Sequence, residues 1–233
     1  MIPIYGLQKT TLLDYKGYLA STIFLGHCNY RCPFCQNSLL IGEKITEPII
    51  SEKEVLSHLK KRKGILEGVC ITGGEPTLYK ELPAFIKEIK SLGYLVKLDT
   101  NGTNPTMVKS LVNENLIDYI AMDIKNARDS YSVSCGTSYA AIDQVEETIA
   151  FLMAEQIPYE FRTTIVKEQH TKERMLEIGR WLKGSSTYIL QNFKDSENVP
   201  IKGLHGFSDE ELLEIKQLLL TYLPNTHIRG EAY

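Results

Sequence analysis

The chain is short of cysteine and has no long apolar run, and both shortages narrow what it can be. Five cysteines in 233 residues is an odd number, and nothing in the opening stretch MIPIYGLQKTTLLDYKGYLA resembles a basic leader followed by an unbroken apolar segment. A secreted disulfide framework is therefore not expected. Nowhere do about eighteen apolar residues follow one another, so no membrane-spanning helix is expected either. These absences lead to the expectation of a soluble, cytoplasmic protein without a membrane partner. Charge of one sign is missing too: 26 Lys and Arg stand against 29 Asp and Glu, a net charge of −3, and no broad nucleic-acid surface is expected. The one basic run, Lys60 to Lys63 before Gly64, suits the C-terminus of a helix. Repeats, low-complexity tracts and long linkers are also lacking. With 43% hydrophobic residues, the chain can pack one domain over positions 1–233.

What is present is alternation. Tyr18–Leu25, Val69–Thr72, Tyr94–Leu98, Ile117–Ile124, Tyr159–Val166 and Thr187–Asn192 are rich in β-branched and aromatic residues and read as six strands. Between and after them, Ser51–Lys63, Lys80–Leu92, Pro105–Glu114, Ala140–Gln156, Thr171–Lys183 and Ser208–Tyr222 repeat apolar residues at three-to-four spacing and read as helices. Ser51 with Glu54 forms a capping-box pattern, and Ser208 opens a turn rich in acids. Strand–helix alternation of this length predicts right-handed crossovers and a parallel α/β sheet with helices outside. Six units are too few for a complete eight-unit barrel. The fold class expected is a partial (β/α)6 barrel, with a doubly wound sheet as the rival.

In either architecture ligand chemistry gathers at the C-terminal ends of the strands, and each end here carries polar residues. The first strand runs into GHCNYRCPFCQN, which holds Cys28, Cys32 and Cys35. The second ends in Thr72-Gly73-Gly74-Glu75-Pro76, the third in Asp99-Thr100-Asn101-Gly102, the fourth in Asp123-Ile124-Lys125, and the fifth carries Arg162. Three clustered thiols suit zinc, with His27 as a fourth ligand, or an iron–sulfur site. No second cysteine pair follows. An iron–sulfur cubane held by three cysteines keeps one iron open to a chelating ligand. Two glycines before Glu75 allow close backbone approach, and the carboxylate offers an acceptor for an ammonium. Cys70 reads as a small core residue and Cys135 as an inert loop thiol.

The Cys28-x3-Cys32-x2-Cys35 spacing, with aromatic Phe34 before the last cysteine, resembles the signature of radical S-adenosylmethionine enzymes. GGEP at Gly73–Pro76 resembles the second motif of that family. LDTNG at Leu98–Gly102 and MDIK at Met122–Lys125 resemble segments of its glycyl-radical-enzyme activating branch. The resemblance implies that Cys28, Cys32 and Cys35 hold a [4Fe-4S] cluster. It further implies that S-adenosylmethionine is bound near Phe34, Asn37, Gly73, Gly74, Glu75, Asp99, Thr100, Asn101, Asp123, Lys125 and Arg162. It also implies a monovalent cation among Asp99, Thr100, Asp123 and the Ala121 backbone. Gln191 and Asn192 fall on the adenine side.

GLQKTTLLDYKGYLASTIF near the start and IRG at Ile228–Gly230 resemble anaerobic ribonucleoside-triphosphate reductase activating proteins. Lys16 departs from a proline of that pattern, and His27 from a glycine. The resemblance implies hydrogen abstraction from a glycine Cα of a partner glycyl radical enzyme, anaerobic ribonucleotide reductase first. Pyruvate formate-lyase or a small molecule is the alternative substrate, and a zinc-binding scaffold the non-enzymatic one. Positions 17–37 would form the first strand and cluster loop, and 38–230 the remaining units and closing segment. Only fifteen residues, Gln36–Ile50, separate the loop from the next helix. With no extra cysteine quartets there, the electron would come from a separate flavodoxin or ferredoxin.

Overall fold

The computed structural model describes residues 2–41, 50–154 and 156–231. Among them eight strands form one sheet in the order of the chain: β1 (Ile4–Thr11), β2 (Ala20–Leu25), β3 (Gly68–Gly73), β4 (Leu95–Thr100), β5 (Tyr119–Asp123), β6 (Tyr159–Ile165), β7 (Tyr188–Asn192) and β8 (Thr226–Ile228). β1 runs antiparallel to β2. Every later pairing is parallel. The helices are α1 (Glu52–Lys61), α2 (Leu82–Ser91), α3 (Pro105–Asn113), α4 (Tyr131–Cys135), α5 (Ile142–Met153), α6 (Lys172–Trp181) and α7 (Asp209–Leu219). All six expected strands and six expected helices form; the helices are trimmed at their ends, whereas β3 is one residue longer at each end and β4 runs two residues past Leu98. The 140–156 helix expectation includes position 155, which lies outside the described residues.

Three elements have no counterpart in the sequence reading. β1 carries register shifts at Ile4/Gly6 and Gln8/Thr11, and its Gln8, Lys9 and Thr10 are exposed, so no period-two pattern marks it. β8 and α4 span three and five residues, too short to show a period. The caps read from sequence do form: Ser51 with Glu54 and Ser208 with Glu211 make complete capping boxes. The basic run falls in the last turn of α1 and at its C-cap, Arg62.

The parallel strands are apolar on the side facing the helices and polar on the side facing the barrel interior. Val69, Ile71, Val96, Leu98, Ile120, Met122, Phe161 and Ile165 are buried in the apolar core, together with Val55 and Leu59 of α1 and Phe85, Ile86 and Ile89 of α2. Each such side chain contributes about 1.5–3 kcal/mol by leaving water. Alternate positions on the same strands, Thr72, Asp99, Asp123, Arg162, Thr164 and Gln191, line an interior cavity instead. Period two in these strands thus separates core from cavity. No helix among the described residues is long and apolar enough to cross a membrane.

Candidate active site

The cavity at the C-terminal ends of the strands has a volume of about 810 Å³ and is lined by Cys28, Cys32 and Cys35. Phe34, Asn37, Gly73, Gly74, Asp99, Thr100, Asn101, Asp123, Lys125 and Arg162 line it as well, as do Gln191 and Asn192. Fold topology has therefore gathered these residues from six separate segments around one space. Of the residues expected to bind the cluster or S-adenosylmethionine, Glu75 alone stands apart from its lining.

Backbone geometry explains the glycine pair. Gly73 has φ +121, and a Cβ there would stand 2.2 Å from the Leu25 carbonyl oxygen. A Cβ on Gly74 would stand 1.7 Å from the His27 carbonyl oxygen. Both glycines let the end of β3 lie directly on the end of β2. The Asn37 side-chain amide donates to the Gly73 carbonyl at 3.1 Å, tying the far end of the cysteine loop to the same point.

Glu75 is fully buried and works inside the protein. Its Oε1 accepts from the Thr77 amide at 3.0 Å, the Thr77 hydroxyl and the Thr100 hydroxyl at 2.8 Å. Its Oε2 accepts from the Asn101 amide at 2.6 Å. Burial pushes this carboxyl up, and the four donors pull it back. The acceptor expected for an ammonium is thus a bracket between the ends of β3 and β4. Asn101, so placed, donates to Asn29 Oδ1 at 2.8 Å and lies 3.9 Å from Cys28 Sγ.

A charged ladder fills the barrel below. Arg162 Nε and Nη2 reach Asp123 Oδ1 at 2.9 Å, and its Nη1 reaches Asp99 Oδ2 at 3.2 Å. Lys125 Nζ meets Asp123 Oδ2 at 2.9 Å, and Lys97 Nζ meets Asp99 Oδ1 at 2.9 Å. Burial would raise both carboxyls, but Arg162, joined by Lys125 at Asp123 and by Lys97 at Asp99, holds them below the ordinary range. These pairs engage the residues expected around a monovalent cation. The two carboxylates that would bind the ion are bridged by the Arg162 guanidinium, and the Thr100 hydroxyl is given to Glu75.

Lys97 and Glu160 also escaped the sequence reading. Each lies two residues before an identified site residue, Asp99 and Arg162, so strand periodicity puts it on the same interior face. That spacing was the available signal. His170, to which no role was assigned, is buried against Phe34 with ring centroids 6.2 Å apart. Its Nδ1 accepts from the Val166 amide at 3.0 Å, which leaves Nε2 to donate to the Lys125 carbonyl at 2.9 Å. Burial lowers its pKa, consistent with a neutral ring that fixes the Lys125 backbone.

His27 does not join the thiols. It is exposed, its ring meets Tyr5 edge-on at 6.3 Å, and it is absent from the cavity lining. Its φ of 56 is the left-handed conformation that glycine adopts without strain, which is the physical content of the glycine this residue replaces. Replacing His27 by glycine should raise stability by roughly 0.5–1 kcal/mol and leave bound iron unchanged. Denaturant unfolding with iron analysis checks both, and loss of iron would make His27 a ligand.

The thiols differ in environment. Burial pushes Cys28 up to about 12 and raises Cys35. Contact with Cys135 outweighs burial and brings Cys32 down to about 7. The donor set and the space suit an iron–sulfur cluster with one iron left for a small chelating ligand. They suit a Cys3His zinc site poorly, because His27 points elsewhere.

The connection after β1 reaches across to the segment after β8: Asp14 Oδ2 accepts from the Thr22 hydroxyl at 2.7 Å, and Asp14 Oδ1 lies 3.4 Å from Arg229. Exposed Leu12 and Leu13 stand beside this seam and line the cavity mouth.

Comparison with known proteins agrees with the geometry. The profile of the radical SAM superfamily matches residues 22–183, well over half of the chain. A protein of Methanocaldococcus jannaschii provisionally named a glycyl-radical enzyme activating enzyme is 30% identical over 236 residues, covering 97% of this chain and 95% of the relative. A second from the same organism, named likewise, is 24% identical and covers 94% of this chain and 79% of its own length. Among solved structures, a domain of pyruvate-formate lyase-activating enzyme from Bacteroides vulgatus superimposes with a TM-score of 0.58. It is 18% identical and covers 70% of this chain and 99% of the other.

Proposed function

Because the chain belongs to the radical SAM superfamily, whose members use a [4Fe-4S] cluster and S-adenosylmethionine, we propose that it activates a glycyl radical enzyme, anaerobic ribonucleotide reductase. The observation that carries this reading is the convergence of four motifs, from four strand ends, on one cavity. Cys28, Cys32 and Cys35 hold the cluster, and the absence of a fourth thiol on the loop leaves one iron for S-adenosylmethionine. When bound, the reduced cluster and S-adenosylmethionine supply a 5′-deoxyadenosyl radical that takes a hydrogen atom.

The protein's part is to hold and orient. The Gly73–Gly74 backbone and Asn101 flank the methionine end, and Lys125 offers a charge-assisted contact to its carboxylate. Phe34 sits on the adenine side, held by His170. Arg162, fixed by two carboxylates, stiffens the wall below and presents no free charge. The seam lined by Leu12 and Leu13 suits entry of a polypeptide loop carrying the target glycine better than full enclosure of a small molecule. The electron donor is a separate flavodoxin or ferredoxin, and the activation takes place in the cytoplasm.

The test is anaerobic reconstitution with iron and sulfide, reduction, and measurement of 5′-deoxyadenosine. Cys32→Ala should abolish it, and a variant that still produced it would sink the cluster assignment. Mixing the reduced enzyme with anaerobic ribonucleotide reductase should give a glycyl-radical signal in electron paramagnetic resonance. A signal with pyruvate formate-lyase alone would replace the partner and keep the chemistry.

A further inference from the structure

A fourth thiol stands behind the cysteine loop. Cys135 ends α4, is wholly buried, and its carbonyl accepts the Arg31 amide at 2.8 Å, so the helix end is bound to the residue preceding Cys32. A Cβ on the next residue, Gly136, would stand 2.0 Å from the Arg31 carbonyl oxygen. No side chain therefore separates the two backbones. Cys32 follows Arg31 directly, so the same backbone bond brings Cys135 alongside it, and both side chains are buried in one apolar cluster with Tyr30. Both are free thiols. Cys32 lines the cavity and Cys135 does not. One thiol of the pair thus faces what enters the cavity, and the other is shielded directly behind it.

We propose that Cys32 and Cys135 form a reversible disulfide when the cluster-free chain meets a peroxide. In the first step the Cys32 sulfur attacks the O–O bond, taking one oxygen as a sulfenic acid while the other leaves as water. In the second the Cys135 sulfur displaces that hydroxyl, the S–S bond forms and a second water leaves. The two thiols together lose two electrons and two protons, and the peroxide is reduced to two waters. Cys135 serves as the resolving thiol because it is already packed against Cys32 and is withheld from the oxidant. The bridge spares Cys32 from the irreversible sulfinic and sulfonic acids. A consequence, which rests on Cys32 being a cluster ligand, is that the bridged chain takes up no cluster until a dithiol reduces it.

Full-length protein, freed of iron with a chelator, is treated with hydrogen peroxide, alkylated and mapped by mass spectrometry without reduction. The expected major product is a peptide pair joined through Cys32 and Cys135 and released by dithiothreitol. In Cys135→Ser and Cys135→Ala the irreversibly oxidised fraction at Cys32 should rise severalfold. Pairing of Cys32 with Cys35 or Cys28 in the native sequence would overturn the proposal, as would equal irreversible oxidation with and without Cys135. Iron uptake before and after dithiothreitol is measured separately. A bridge that forms without affecting iron uptake would count against the ligand role of Cys32 and leave the disulfide standing.

Discussion

Arg162→Ala should destabilise the fold by about 3–5 kcal/mol at neutral pH, because it removes a buried guanidinium and strands half-buried Asp99 and Asp123 without their shared partner. Lys97 and Lys125 remain beside them, which keeps the loss within that range. The pH dependence identifies the cause. In the native chain both carboxyls are held below their ordinary range, so their contribution is present above the unfolded value near about 3.9. It disappears as pH falls from there through the folded values. Without Arg162 the two acids repel, and protonation relieves them at a higher pH. The gap between native and variant proteins should therefore be full at pH 7 and narrow steadily toward pH 4. Urea unfolding at both pH values measures it, and a gap independent of pH would show that lost packing, not the ion pairs, sets the cost. Adding Asp123→Asn to Arg162→Ala should recover part of the loss by removing one stranded charge.

Glu75→Ala should cost about as much, roughly 3–5 kcal/mol, since it leaves the Thr77 and Asn101 amides and two hydroxyls without their acceptor in a site closed to water. Glu75→Gln is the sharper variant. One oxygen survives to serve Thr77 and Thr100, but an amide NH2 would then face the Asn101 amide, at a cost of about 1–3 kcal/mol. Because Asn101 also reaches Asn29 and the Cys28 sulfur, its displacement should weaken S-adenosylmethionine binding by the cluster-loaded enzyme about tenfold. Calorimetric titration checks this. Unchanged affinity in a destabilised Glu75→Gln protein would confine the residue to folding.

These two residues also mark where sequence reasoning stops. GGEP identified a turn at a strand end, and Glu75 was matched to a ligand that a carboxylate could serve. Two of its four donors, the Thr100 hydroxyl and the Asn101 amide, belong to the next strand end, and only the parallel pairing of β3 with β4 brings them to it. Arg162 was placed on the correct strand, but its role required Asp123, which is 39 positions away, and Asp99, which is 63. Lys97 and Glu160 could have been found by counting back two residues along their strands. Cys135 could not, since nothing near it in sequence announces contact with Cys32.

Local patterns carry local information. The three-cysteine loop, the glycine pair, the capping boxes and the strand–helix alternation are set by neighbouring residues and are legible in the chain alone, along with the parallel sheet that alternation forces. Register was decided by the tertiary structure. It put Arg162 beside Asp123, where a cation was expected, turned Glu75 inward, turned His27 outward and placed Cys135 behind Cys32. Each of these depends on which strand ends are level with one another, a property of the assembled sheet that no single segment contains.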